Sequence, residues 1–279
     1  MSHIRTDRVD RVGVITIDRH ERFNSLDIQT AQDLRRAGLQ MARDSLIRVV
    51  VLRGAPGVFC SGADLKFIRD GGNADDLAYL TAPGPDANAS PGGYGNAFKQ
   101  ILEYIHSTIS EIRRAPKPFI AAVDGVAAAG GFGLAMSCDL VVASSRATFE
   151  WAYAKTGLTG AESATFLLPR LVGLRRAMEL LLLNPRLTAE RAFEYGLVTA
   201  VRDVDEFDAD VMAMAKRLAG GPPHAFAIAK ELLNQAAGMD RLDVHLDREL
   251  LELARAADGP EFAEGLEAFF DKRPPAFAR

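Results

Sequence analysis

A chain of 279 residues can bury a substantial core, and its 48% hydrophobic and 25% charged composition sits near the globular average, which excludes a disordered polymer. Its net charge of −4 argues against nucleic-acid binding, which normally shows a basic excess on one face. Charges interrupt every apolar stretch before it could span a bilayer, and the opening Met1-Ser2-His3-Ile4-Arg5 lacks the apolar run of a secretory signal, so a cytoplasmic protein without a membrane partner is expected.

In chain order, Val12–Ile17 and Arg48–Arg53 are short β-branched runs separated by a helix-like stretch, Ile28–Arg43. Further strand candidates follow at Pro118–Val123 and Leu140–Ala143. This alternation predicts an α/β chain with a mainly parallel sheet covered by helices. From Glu162 onward the sequence reads as helical, with a strand candidate at Leu197–Val201 and helices around Asp208–Leu218, Ala225–Ala237 and Arg241–Ala257. A sheet-rich core over 1–205 and a helical region over 206–279 are the expected divisions. Asp70–Asn96, crowded with Gly, Asn, Asp, Ala and Pro, is expected to be a loop, either a lid or an insertion. Cys60 and Cys138 make neither a disulfide framework nor a metal site and read as small buried hydrophobes.

Two Gly-rich turns carry the chemical signal: Phe59-Cys60-Ser61-Gly62-Ala63-Asp64-Leu65, and the run from Asp124-Gly125 to Gly130-Gly131-Phe132-Gly133. Each follows a strand and enters a helix. Two helix starts aimed at one point offer unpaired N–H groups that can hold a developing oxyanion. Tight turns and close helix packing use the same residues, so either turn alone is ambiguous.

Taken in order with Glu21-Arg22-Phe23-Asn24-Ser25-Leu26, Cys138-Asp139, Glu194-Tyr195-Gly196-Leu197-Val198, Glu261-Phe262-Ala263-Glu264-Gly265 and Phe270-Asp271-Lys272-Arg273-Pro274, these turns resemble the enoyl-CoA hydratase/isomerase (crotonase) superfamily. The resemblance implies a spiral of ββα units with a helical C-terminal trimerisation region, a homotrimer or dimer of trimers, an acyl-CoA thioester as substrate, and no metal or separate cofactor, coenzyme A being part of the substrate. It assigns the backbone N–H groups of Ala63 and Gly130 to the oxyanion hole. Phe23 and Ser25 would touch coenzyme A, and Ser61, Asp64 and Leu65 would lie on its adenine and pantetheine side. Asp64 reads equally as a helix N-cap. Lys272, Arg273 and Lys230 would meet the coenzyme A of a neighbouring subunit, although surface Lys and Arg usually only solvate a face.

The departures from the pattern narrow the chemistry. The two glutamates with which hydratases add water match Gly133 and Tyr153 here, so ordinary hydration is doubtful. The stretch from Tyr153 to Glu162 resembles the loop in which phenylacetate-pathway enoyl-CoA isomerases and 4-chlorobenzoyl-CoA dehalogenases carry a working Asp. That position matches Ala161, and its neighbour Glu162 is either the replacement carboxylate or a cap for the helix that follows. His106 matches a histidine lining the dehalogenase site, or is a core residue. Tyr153 hydrogen-bonds substrate or packs, the faces of Glu150 and Trp151 stay open, and His20, His224 and His245 carry no motif. The reading that results is an enoyl-CoA isomerase in which Ala63 and Gly130 hold the thioester enolate and Glu162 moves the proton. A hydratase working through Glu162 or Tyr153 is the alternative, and a CoA-ester-binding module without catalysis is a third.

Overall fold

A computed structural model describes residues 2–72 and 93–277. Among the described residues ten strands form two sheets. In the larger, β1 (Ile4–Val9), β2 (Val12–Ile17), β3 (Val49–Gly54), β5 (Phe119–Val123), β7 (Leu140–Ser144) and β10 (Ala200–Arg202) lie side by side. The smaller runs β4 (Val58–Cys60), β6 (Val126–Ala128), β8 (Thr148–Glu150), β9 (Leu187–Thr188). From β3 to β8 consecutive strands alternate between the two sheets, and parallel pairing joins β2 to β3, β5, β7 and β10 and joins β4 to β6 and β8. That alternation is the spiral.

Side-chain alternation within the larger sheet decides what covers each face. Val12, Val14, Val49, Val51, Ile120, Ala122 and Val142 point toward α8 (Phe207–Ala219), which buries Phe207, Val211, Ala215 and Ala219 against them. The intervening residues, among them Ile15, Ile17, Val50, Leu52 and Phe119, belong to the main core with α1 (Ile28–Arg43) and α3 (Tyr94–Arg114). Burial on both faces is why β2 and β3 read as continuous apolar runs. The edge strand β1 exposes all but its first residue and left no comparable signal.

The remaining helices are α2 (Leu65–Arg69), α4 (Gly130–Ser137), α5 (Ala164–Val172), α6 (Leu174–Leu183), α7 (Ala189–Glu194), α9 (Pro223–Ala236), α10 (Leu242–Ala257) and α11 (Pro260–Asp271). The last two pack into the same core as the sheets, through Leu242, Leu246, Leu250, Leu253, Phe262 and Leu266. Among the described residues no helix is long and apolar enough to cross a membrane.

Two expectations need correction, and the reading of the cysteines stands. The last strand begins at Ala200, because the N–H groups of Leu197 and Val198 both turn back onto the Ala192 carbonyl at 2.9 and 3.3 Å and close α7 before any pairing starts. The loop expected over Asp70–Asn96 lies largely outside the described residues, but its last three residues are the first turn of α3. Gly95 reads as a loop residue and is in fact a packing residue: its N–H donates to Asp258 at 2.8 Å, and a Cβ there would fall 2.6 Å from the Ala254 carbonyl of α10. Both cysteines are buried and free, and burial pushes each thiol up to about 12, so they pack as hydrophobes.

Candidate active site

The smaller sheet places the two Gly-rich turns together. Strands β4 and β6 are parallel neighbours, so both chains leave at the same edge and enter α2 and α4 side by side. Gly62, at φ +94°, makes the approach possible: a Cβ there would lie 2.8 Å from Ala129 Cβ and 3.1 Å from the Gly130 nitrogen. Leu26 laces the Phe23–Leu26 segment onto the first turn, its N–H donating to Gly62 at 2.8 Å and its carbonyl accepting from Asp64 at 2.9 Å. Neither the Ala63 nor the Gly130 N–H donates to a protein acceptor among the described residues, and both residues line one cavity of about 480 Å³. Two spare donors at adjacent helix starts can hold a carbonyl oxygen that gains negative charge.

Glu162 lines the same cavity and stands over Gly130. A Cβ at Gly130 would meet its Oε1 at 2.7 Å. Its other oxygen accepts the Tyr153 hydroxyl, and Tyr153 is steadied by an edge-on Trp151 ring at 5.3 Å. The carboxyl is 3% exposed; burial pushes its pKa up to about 7, the Tyr153 hydrogen bond pulls against that rise, and the Glu249 charge adds to it. Burial together with Glu162 drives Tyr153 well above the ordinary phenol range.

Glu162 is not a cap. The N-cap of α5 is Ser163, whose side chain makes no capping bond; the first N–H groups of that helix instead reach Glu249 on α10, Ser163 to Oε2 at 2.8 Å and Thr165 to Oε1 at 3.0 Å. Glu162 and Ser163 both adopt left-handed backbone, φ +53° and +63°, a conformation that costs an L-residue roughly 1–2 kcal/mol. This turn also explains one departure from the hydratase pattern. A Cβ at Gly133 would lie 2.4 Å from the Glu162 carbonyl oxygen and 2.9 Å from its Cβ, so Glu162 fills the room a side chain at 133 would need.

Phe23, Ser25, Ser61, Asp64, Leu65 and Tyr153 all line the same cavity. Phe23 is 67% exposed at φ +54°, held out by Asn24, whose side chain ties Arg19 N–H to the Val58 carbonyl. Asp64 is the N-cap of α2, accepting from Lys66 and Phe67, and also pairs with Arg19 at 2.8 Å and with Arg22. Burial pushes its carboxyl up, but the hydrogen bond from Arg22 and those that follow hold it below the usual range. Glu150 also faces the cavity, and its charge is met by Lys155 and by Arg186 at 3.2 Å.

His106 and Lys272 stand apart from the cavity wall. His106 is buried on α3 with its Nε2 3.8 Å from Glu249, and burial holds it near 4, hence neutral. Lys272 is exposed just past α11. Lys230 is an internal anchor, its ammonium donating to the carbonyls of Ile112 and Lys117 and to Asp139 at 2.7–3.0 Å. Arg273 pairs with Glu264. Among the described residues no group of three His, Cys, Asp or Glu is placed to hold a metal.

Sequence reasoning missed Glu249, Leu253, Phe98 and Phe270, the last three lining the cavity. One signal was present: Glu249 falls on the apolar stripe Leu242, Leu246, Leu250, Leu253 of α10, where a carboxylate needs a buried partner.

Comparison with known proteins supports the same grouping. The family model described as Enoyl-CoA hydratase/isomerase matches residues 7–83 and 84–279. The chain is 34% identical to 1,2-epoxyphenylacetyl-CoA isomerase of Escherichia coli, over 95% of this chain and 94% of that one. It is 30% identical to 4-chlorobenzoyl coenzyme A dehalogenase-2 of an Arthrobacter species, over 97% and 91%. The crystal structure of an enoyl-CoA hydratase from Mycobacterium avium subsp. paratuberculosis superposes with a TM-score of 0.84 at 32% identity, covering 100% of this chain and 99% of the other. The relatives are named for different activities, and the family match together with identities of 30% or more over nearly the whole chain places it in the enoyl-CoA hydratase/isomerase (crotonase) superfamily as an acyl-CoA enzyme.

Proposed function

We propose that the protein is an enoyl-CoA isomerase that moves a proton between carbons of its acyl chain. The observation that carries this reading is the position of Glu162: a buried carboxyl, its pKa pushed up to about 7, directly over Gly130 and held on one oxygen by Tyr153. The thioester oxygen takes the Ala63 and Gly130 N–H groups, which stabilise it most as the enolate forms. Glu162 Oε1, the oxygen Tyr153 does not hold, accepts the proton from one carbon and returns it to another. A pKa near 7 suits a group that must act as base and then as acid at neutral pH. Tyr153, with its pKa driven upward, stays protonated and orients the carboxylate. Two other buried carboxylates near Glu162 are already engaged, Glu249 by the start of α5 and Glu150 by two cations, so neither stands ready as the second group that hydration would ask for.

The test is Glu162→Gln, which keeps size and polarity but cannot accept the proton. With a panel of enoyl-CoA esters in deuterium oxide, the parent should exchange and shift the double bond without mass gain beyond deuterium, while the variant loses about 10²–10⁴ in rate at unchanged affinity. A parent product heavier by one water identifies a hydratase instead, and binding with no exchange by either protein identifies a CoA-ester-binding module.

The assembly is proposed to be a homotrimer or a dimer of trimers. Exposed Leu174, Leu182, Leu183, Leu232, Leu233 and Val244 leave the later helices with apolar surface to cover. Light scattering should give three or six chains, and a stable monomer would contradict it.

A further inference from the structure

We propose that Glu249 is a positioning residue that holds Glu162 in its working place by clamping the start of α5. The inference rests on the role given to Glu162 above. Glu162 and Ser163 form two consecutive left-handed residues, a backbone that persists only where its surroundings over-determine it. The usual local restraint is missing. Ser163 occupies the N-cap, yet its hydroxyl is buried with no hydrogen-bond partner and caps nothing. Its work is done from α10: Glu249 Oε2 accepts Ser163 N–H at 2.8 Å, and Oε1 accepts Thr165 N–H at 3.0 Å together with the Thr165 hydroxyl. A cap supplied by the adjacent side chain would fix the helix start only relative to itself. A cap supplied from α10 fixes it relative to the rest of the core, and with it the carboxyl immediately before.

The groups around this carboxylate are few. His106 of α3 approaches Oε2 at 3.8 Å and is neutral; His245 of α10 itself lies 3.6 Å from Oε1 and 2.7 Å from the Thr165 hydroxyl. Glu162 and Tyr153 stand on the cavity side, and the Glu249 charge acts on both. Glu249 does not line the cavity, so its influence passes through Glu162 and the Tyr153 that holds it.

Two variants test the assignment with the full-length enzyme. Glu249→Ala removes the clamp and should lower kcat about 10²-fold with KM for the acyl-CoA nearly unchanged, the scale of loss that a misplacement of about 1 Å produces. Glu249→Gln keeps the shape and one acceptor but not the charge. It should recover much of the rate and move the acid-side inflection of kcat/KM to lower pH, because a negative neighbour that raised Glu162 is gone. A merely structural role would lower stability and leave both kcat and the pH profile of the folded enzyme alone. In the Glu162→Gln background Glu249→Ala should cost nothing further. A kcat within about threefold of the parent in Glu249→Ala, or an unmoved profile in Glu249→Gln, overturns the proposal while leaving Glu162 as the proton carrier. If Glu162→Gln itself exchanges at the parental rate, that reading falls and this one with it. Should Glu249→Ala fail to fold, the profile of Glu249→Gln decides.

Discussion

The two halves of the site are held by different means. Ala63 and Gly130 sit at the ends of neighbouring parallel strands, so ladder hydrogen bonds and the close approach of Gly62 set their backbones to one another. Glu162 has no strand behind it. It stands in a left-handed turn, tied to Tyr153 nine residues before it and, through Ser163, to Glu249. The donor half is made of backbone N–H groups just beyond paired strands, where close packing leaves little room for side chains. The carboxylate half is side-chain chemistry on a loop, dependent on partners distant in sequence. Relatives named as an isomerase, a dehalogenase and a hydratase match this chain over nearly its whole length, so one fold serves more than one chemistry.

The largest effect should come from breaking both halves at once. Gly130 is the first residue of α4, a position where proline is sterically acceptable to a helix, but Gly130→Pro removes the N–H and also drives a Cβ into Glu162 Oε1. Loss of the donor alone is worth about 10²–10³ in rate, and displacement of the carboxyl adds to it. Gly130→Ala separates the terms, because it keeps the N–H and leaves only the push on Glu162. The ratio of the two variants' kcat values should then report the donor. Equal rates in the two would show that the Gly130 N–H takes no part.

The same contrast governs what was legible in the sequence. Val12–Ile17 and Ile28–Arg43 match their observed elements residue for residue, since the first is a bounded apolar run rich in β-branched residues and the second a long amphipathic period. The smaller sheet left no trace, because strands of two or three residues are too short to show alternation. Its consequence was still readable, because the small residues required where the turns meet form a motif. The sequence singles out Glu162 by its place in a loop beside Ala161, but not its geometry. No local pattern tells that Gly133 must be empty for the Glu162 turn, or that a carboxylate 86 positions after Ser163 takes over its work.

The burial of Glu162 should be visible in stability as well as rate. Unfolded, the carboxyl titrates near its ordinary value of 4.5; folded, near 7. Below both values the two states carry the same proton and nothing is lost. As pH rises from 4.5 to 7 the unfolded chain gives up a proton that the folded chain retains, so stability falls, by roughly 3 kcal/mol once both have ionised. Glu162→Gln does not titrate. Its melting temperature should stay near the parent's at pH 4 and exceed it at pH 8, and the donor-half variant Gly130→Ala should show no such crossover at its own site. Parallel pH–stability curves for Glu162→Gln and the parent would contradict the burial argument.

The smallest effect belongs to Tyr153→Phe, which loosens the carboxylate half without emptying it. The ring keeps its place against Trp151, so packing is conserved, and only the hydroxyl that donates to Glu162 is lost. That hydrogen bond opposes the rise caused by burial, so its removal should carry Glu162 upward from about 7. For a base that must be ionised in the free enzyme, the acid-side inflection of kcat/KM then moves to higher pH, opposite to the shift expected for Glu249→Gln. Well above the inflection the variant should fall short of the parent by no more than about tenfold, because the carboxylate is intact and only its orientation has relaxed. At pH 6 the deficit should be larger, as more of the enzyme holds the unwanted proton. A uniform loss at every pH would assign Tyr153 to the substrate rather than to Glu162, and would make the carboxylate half a two-residue device in which both side chains touch the acyl group.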